Sequence, residues 1–560
     1  MHDILSRLST LSSPRYIWVD SICINQSDPA EKAHQIKLMR HIYSRASRVL
    51  ACLGESRDAG HAAAILNMLV VGRMKFGVAA TARFMLGLWQ NRRFNLAFES
   101  HLRGFLELLD HRWFGRVWVV QEVVFARQLT LHQRNITWIW EYFLEGAWML
   151  IDPTIPQIAS MCQSSMEYGM MRRLPYGLSH GLVMAETRDK YQSGGREPLY
   201  VILQRFTAFE ATNPLDKVFA LLGFIDGDLD HLSNYDLSIE ELLTRIAEYL
   251  VDRGDLVHVL HLAGTGYRVE ANEGRMPPRV PSWVADWSSS RAPRTLAHAS
   301  YSPRQQYRAA VTRLQRIHIL PSDRSCLSVV GHVVDRVRHL GRPSRAPTVV
   351  GGQFSVLEET FFNLEWLAEA RAIADQFAAS VASDRRDIEE RLWRTIMGDR
   401  SQAVRPMPAR LIPVFRSFLG QIARIRDTAL LGEPIQQANL PQLETRMAQH
   451  PELWEGLVRA LHTDEFWELS TCQILIGDPL YPRCFCVTDQ GRMALLPRNA
   501  RPDDIVAVVH GSQVPFLIRP NTESGPGKLR FELVGECYVH GLMDGEALQL
   551  GLPDTELILV

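Results

Sequence analysis

Residues 15–55, RYIWVDSICINQSDPAEKAHQIKLMRHIYSRASRVLACLGE, read as one strand–helix–strand unit. Residues 16–19 form a short β-rich run that ends in Asp20. Asp28 stands at a helix N-cap, with Pro29 at the first helical position and Glu31 three residues after the cap. Both carboxylates can then satisfy orphan N–H groups at the helix start. Ile36, Met39, Ile42, Tyr43 and Ala46 recur at helical spacing, which gives the helix one apolar face. Residues 48–53 are a second apolar run, stopped by Gly54. Two strands joined by a crossover helix of this length should lie parallel in one sheet. Asp20 is then expected at the carboxyl end of the first strand, where open α/β sheets place ligands.

The totals set bounds on the rest. At 560 residues the chain should hold several modules. A net charge of −1 gives no global electrostatic footprint for nucleic acid or an anionic membrane. Eight Cys (Cys23, Cys52, Cys162, Cys326, Cys472, Cys484, Cys486 and Cys537) are scattered without the spacing of a disulfide framework, which points to a reducing compartment. No apolar core of a secretory signal is visible, and no uncharged apolar run approaches the ~18 residues of a membrane helix. The expected setting is the cytoplasm.

Further blocks lie downstream. Residues 111–135 read HRWFGRVWVVQEVVFARQLTLHQRN, in which Trp113, Arg116, Trp118, Gln121 and Glu122 follow one another at spacings that suit a helical turn. Residues 128–132 read as a strand, and Thr137 as the cap of a helix through Trp138, Trp140 and Phe143. Residues 211–224, ATNPLDKVFALLGF, place a turn at Asn213-Pro214 and a helical face from Lys217. Ser238 and Glu241 form a capping pair for a helix at 239–251. Residues 327–337 read as a strand, and helical periodicity recurs at 361–379, 387–396 and 453–461. From 471 onward the pattern changes to short strands separated by Gly, Asp and Pro, at 483–487, 505–509, 516–519 and 531–534.

These blocks, with WVDSICINQ and the helix that follows it, resemble the fungal heterokaryon-incompatibility (HET) domain. VPSWVADWS at 280–288 and the segments RCFCVTDQGRMALLP, GSQVPFLIRP and LVGECYVHGLMDGEA resemble the later parts of long HET proteins. The resemblance implies a parallel-sheet α/β core likened to TIR domains. It divides the chain into a HET domain at 1–225 without its usual first strand motif, a HET-associated mixed region at 226–345, a variable helical region at 346–470 and a β-rich module at 471–560. It implies a role in non-self recognition and programmed cell death, with a protein partner and a homo-oligomer as the expected associations. Since some TIR domains cleave NAD with a catalytic Glu, it also makes NAD a conceivable substrate. An inactive relic or scaffold is the remaining alternative.

Two chemistries compete at each candidate site. Asp20, Asn25 and Gln26 are either a ligand or partner loop, or simply turn formers that bond their own backbone. Glu122 is the candidate catalytic group, because a carboxylate beside aromatic faces can have a raised pKa or grip a ribose hydroxyl. Its structural alternative is an ion pair with Arg116. Trp18, Glu31, Trp113, Arg116, Trp118, Gln121, Asp216 and Lys217 belong to the family motifs. Asp216 is expected as a helix-start carboxylate and Lys217 as a surface or packing cation. Cys484 and Cys486, with Cys472 and Cys537, fit no standard zinc spacing and read as buried small hydrophobes. His34 and His41 lack the Glu of an H-E-x-x-H helix. No metal or cofactor is expected, and no Walker A loop, dinucleotide glycine motif or G-x-S-x-G elbow appears.

Overall fold

The computed structural model describes residues 16–25, 27–91, 95–150, 176–227, 229, 232–268, 277–289, 295–297, 306–344, 356–381, 384–401, 404–430, 449, 483–521 and 529–560. Gln26, Cys162, Cys472 and the helix expected at 453–461 lie outside the described residues. The chain is a mixed α/β protein with a β-rich C-terminal sheet, and it divides into two compact units, residues 1–242 with 287–290, and residues 243–286 with 291–560.

The first unit begins differently from the expectation. Residues 16–19 pair with no strand among the described residues, and Asp20–Cys23 forms a single helical turn, α1. Tyr16 is fully exposed and Ile17 is 41% exposed, so this apolar run lacks the two-sided burial of a strand inside a parallel sheet. Asp20 therefore opens a helical turn and does not end a strand. The next elements follow the sequence. Helix α2, Pro29–Arg45, leads to β1, Val49–Cys52. Asp28 accepts from the Glu31 N–H at 3.2 Å, while Glu31 reaches back to the Asn25 N–H at 3.1 Å.

Three helices follow, α3 (Ala59–Phe76), α4 (Val78–Gln90) and α5 (Asn95–Leu109), and then a 3₁₀ turn at Arg112–Gly115 and the short helix α6 (Val119–Phe125). Strand β2, Leu129–Gln133, runs parallel to β1. Strand β3, Ile136–Ile139, runs antiparallel to β2, so the sheet is mixed. Thr137 and Trp138 thus belong to a strand, and α7 starts at Trp140 with no side-chain cap. The two-residue reversal at Arg134–Asn135, with Arg134 in the left-handed region at φ 53°, turns the chain straight back and leaves no room for a cap at Thr137. Phe105, Phe114, Trp140 and Phe143 fill the interior, with Phe114 stacked on Phe143 at 5.3 Å. Helices α8 (Tyr176–Gln192), α9 (Leu199–Phe206) and α10 (Asp216–Leu222) complete this unit's described core. Helix α11, Ile239–Asp252, opens on the expected reciprocal cap between Ser238 and Glu241.

The second unit is built around one long strand. After β4 (Ile317–Leu320), β5 runs from Asp323 to Pro343. Helices α12 (Val356–Val381) and α13 (Arg385–Ile396) pack on its sheet, and α14 (Leu411–Leu430) packs on α12. The remaining strands are β6 (Arg483–Thr488), β7 (Met493–Pro497), β8 (Ile505–Val509), β9 (Phe516–Asn521), β10 (Arg530–Glu536), β11 (Tyr538–Val539) and β12 (Thr555–Leu559). The order β5–β12–β10–β9–β8 returns to β5, because β8 also pairs with β5, and so closes a five-stranded barrel. The far half of β5 leaves the barrel to pair with β6, which carries β7 and β11. Cys484, Cys486 and Cys537 are buried here, and burial pushes all three thiols up.

Candidate functional site

Helix α6 is fixed from three directions, and this sets where Glu122 points. Ahead of it, the Val117 N–H donates to the Glu210 carbonyl at 2.9 Å, and the Glu210 N–H donates to Gly115 at 2.7 Å. On its side, buried Gln121 donates to the Ala220 carbonyl at 2.8 Å and so ties α6 to α10. At its C-terminal end, the buried Arg188 guanidinium donates to the Val123 and Ala126 carbonyls, satisfying orphan acceptors with a cation where the helix dipole favours one. Glu122 lies in the first turn of this helix.

The surroundings of Glu122 come from three separate parts of the sequence. The Trp113 indole N–H donates to its carboxylate, and the Arg116 cation and the Asp20 carboxylate act on it electrostatically. Burial dominates over the lowering effects of Arg116 and Trp113 and raises the carboxyl to about 7, with Asp20 adding to the rise. Tyr43, on α2, faces the same cluster. Burial pushes its phenol well above the usual range, Glu122 and Asp20 push the same way, and Arg116 opposes them. Trp18 meets the Tyr43 ring edge-on at 6.1 Å. Asp20 and Arg116 are exposed, whereas Glu122, Tyr43 and Trp18 are partly exposed, so the cluster reaches solvent; Trp118, also partly exposed, is the residue that precedes α6.

Asp20, Trp18, Trp113, Arg116 and Glu122 therefore come together, as does Tyr43, which the helical pattern had placed among apolar face residues. Others have structural posts. Asn25 accepts from the Ser27 N–H at 3.1 Å, a turn-forming bond, and Glu31 closes the same loop. Asp216 starts α10 and accepts from the Tyr235 hydroxyl at 2.5 Å. Lys217 is buried, not on the surface, and donates to the Thr207 and Phe209 carbonyls just beyond α9. A cleft of about 670 Å³ on the same unit lies elsewhere. It is lined by Arg40, Phe125, Tyr191, Arg196 and Asp226 among others, and touches none of the residues around Glu122. Asp226 bridges Arg40 and Arg196 at 2.7 and 3.2 Å, so its cations already face an anion. Glu122 is the carboxyl that burial raises to about 7, which makes it the candidate acid–base group among the described residues.

Residues 1–122 match the family model of the heterokaryon incompatibility protein (HET), and residues 454–552 match the Het-6 β-barrel domain. Over 605 aligned residues the chain is 23% identical to "Heterokaryon incompatibility protein 6, OR allele" of Neurospora crassa, an alignment that covers 95% of this chain and 81% of that relative. The chain thus carries a segment similar to the HET domain and a later one similar to the Het-6 β-barrel. No solved structure matches it. All six residues of the cluster around Glu122 fall inside the matched HET segment, and Glu122 is its last residue. The block at 211–224 lies beyond that segment and braces α6 through the Ala220 carbonyl.

Proposed function

We propose that this chain acts in fungal heterokaryon incompatibility as a cell-death effector, and that Glu122 is the group through which it acts. The observation that carries the reading is the carboxyl held at about 7, with an indole N–H, a guanidinium, a second carboxylate and a phenol around it. Such a group is divided between its acid and base forms at neutral pH and can both give and take a proton. The relative's name supplies the biological role; the cluster supplies the chemistry. Recognition of a protein partner, and self-association, belong to the same proposal.

A second reading sharpens the first: the substrate is NAD or a related nucleotide. It is favoured by the pairing of Glu122 with Arg116, an acid–base group beside a cation suited to a phosphate. The test is inducible expression of the full chain in a filamentous fungus, beside Glu122→Gln at matched protein level, with viability and NAD followed together. Death and NAD loss with the intact chain, both abolished by Glu122→Gln, are the expected results. Death that persists in Glu122→Gln removes Glu122 from the account. Death without NAD loss removes the nucleotide reading and leaves the incompatibility role standing.

A further inference from the structure

Three residues that are remote in sequence meet on the rim of the barrel. Gly331 of β5 pairs with Thr555 of β12 on one side and with Val509 of β8 on the other. The register therefore sets His332, which follows Gly331, beside His510, which follows β8, and Asp554, which precedes β12. The His510 N–H donates to the Val330 carbonyl at 2.9 Å and holds this corner closed. Gly331 permits the approach: a Cβ there would lie 2.4 Å from the Val508 carbonyl oxygen.

The two imidazoles point their Nε2 atoms at each other, 3.3 Å apart, and both side chains are 4% exposed. Asp554 brings Oδ1 to 3.4 Å from the His510 Nε2 and 3.8 Å from the His332 Nε2. The Nδ1 of His332 lies 3.1 Å from the Pro553 carbonyl. A carbonyl only accepts, so that nitrogen carries the proton and leaves the Nε2 lone pair facing the cluster. This is the outer hydrogen bond that metal-bound histidines usually make.

We propose that His332, His510 and Asp554 bind one divalent transition-metal ion in a tetrahedral site, with zinc the best match, and that the ion clamps β5, β8 and β12 at the barrel rim. The spacing decides the geometry. A tetrahedral ion with donors at about 2.0–2.1 Å separates them by about 3.3–3.4 Å, whereas octahedral neighbours at the same bond length sit about 2.8–3.0 Å apart. The three separations here, 3.3, 3.4 and 3.8 Å, begin at the tetrahedral value and exceed the octahedral one. Asp554, 47% exposed, opens the site to solvent and leaves the fourth position for water. Arg313 and Arg316 are the cations near His510, and both are exposed, so they weaken the affinity without occupying the site. The residues lie 178 and 44 positions apart along the chain, which is why no ligand spacing announces them.

The experiment uses the full chain, stripped with chelator and titrated with Co²⁺ while visible absorption is followed, then with Zn²⁺ in competition. One tetrahedral-type Co²⁺ per chain is expected, displaced by Zn²⁺, with Zn²⁺ raising the thermal unfolding midpoint. His510→Ala should abolish the band. Asp554→Ala, a change at an exposed position, should weaken binding by at least about tenfold, no less than the loss of an outer-shell partner. If His510→Ala fails to fold, Asp554→Ala decides alone. An absence of tetrahedral absorption at millimolar Co²⁺ overturns the proposal, and so does a band that Asp554→Ala leaves at full affinity. A bare imidazole–imidazole hydrogen bond would then account for the contact.

Discussion

At the scale of single residues, Glu122 makes a prediction about stability as well as activity. Its folded-state carboxyl sits at about 7 against a usual 4.5, so the folded chain binds this proton more tightly than the unfolded chain does. The contribution is favourable at low pH. It is lost as pH rises from about 4.5 to about 7 and is constant above that. Glu122→Gln removes the titration. The variant should therefore gain stability relative to the intact chain across that interval, by about 1–3 kcal/mol at pH 8. Thermal or urea unfolding at pH 5 and pH 8 reads the difference, and equal pH profiles would contradict the assignment. The candidate carboxyl itself was legible in the sequence, because Trp113, Arg116, Trp118 and Gln121 crowd around it within one short run. Tyr43 was not. Helical periodicity counts a phenol as apolar, and what makes its hydroxyl significant is the charge of Glu122 and Asp20, brought to it only by folding.

Among elements, the bracing of α6 and α10 is where side-chain loss should be costly. Lys217→Met leaves the Thr207 and Phe209 carbonyls without their ammonium donor inside the fold, and should cost about 2–4 kcal/mol in denaturant unfolding. Lys217→Arg is not expected to restore it, because the planar guanidinium does not present three donors from one point. A second case lies on β5. Gly331→Ala sets a methyl group 2.4 Å from a backbone oxygen of β8 and should destabilise by about 2–4 kcal/mol, since backbone on both sides is held by the ladder. What sequence could show at this scale was whatever is encoded locally. The reciprocal cap of Ser238 and Glu241 is written within four positions and appears where expected; Asp28 caps the Glu31 N–H as expected, while Glu31 turns back to Asn25. The extended run at 16–19 carries β-type residues but finds no ladder partner among the described residues, and propensity alone could not foresee that. Strand β12 was invisible for a related reason: its assignment depends on β5, far upstream.

Taken as a whole, the second unit buries an ion pair. The Arg483 guanidinium donates to the Glu536 carboxylate at 2.7 Å with both side chains almost wholly enclosed, and Glu536 also accepts from the Leu296 and Ala297 N–H groups. Burial pushes the Glu536 carboxyl up, and Arg483 and these two donors hold it down. Arg483→Met should cost about 3–5 kcal/mol, because it strands a buried carboxylate. Its loss should grow with pH as that carboxylate is forced to ionise. The double variant Arg483→Met with Glu536→Gln should recover part of the loss, and a double variant as unstable as the single one would contradict this account.

The closure of the barrel also has a consequence in time. Ser328 of β5 and Glu556 of β12 are hydrogen-bonded at 2.8 Å across 228 positions of sequence. At synthesis rates of about 5–20 residues per second, β5 waits about 10–45 s for the strand that completes its ring. Throughout that interval a long strand with an apolar middle stands with an unsatisfied edge, the condition under which nascent chains recruit chaperones or pair with one another. Brief inhibition of elongation between β5 and β12 should therefore yield more insoluble product than the same pause placed ahead of β4.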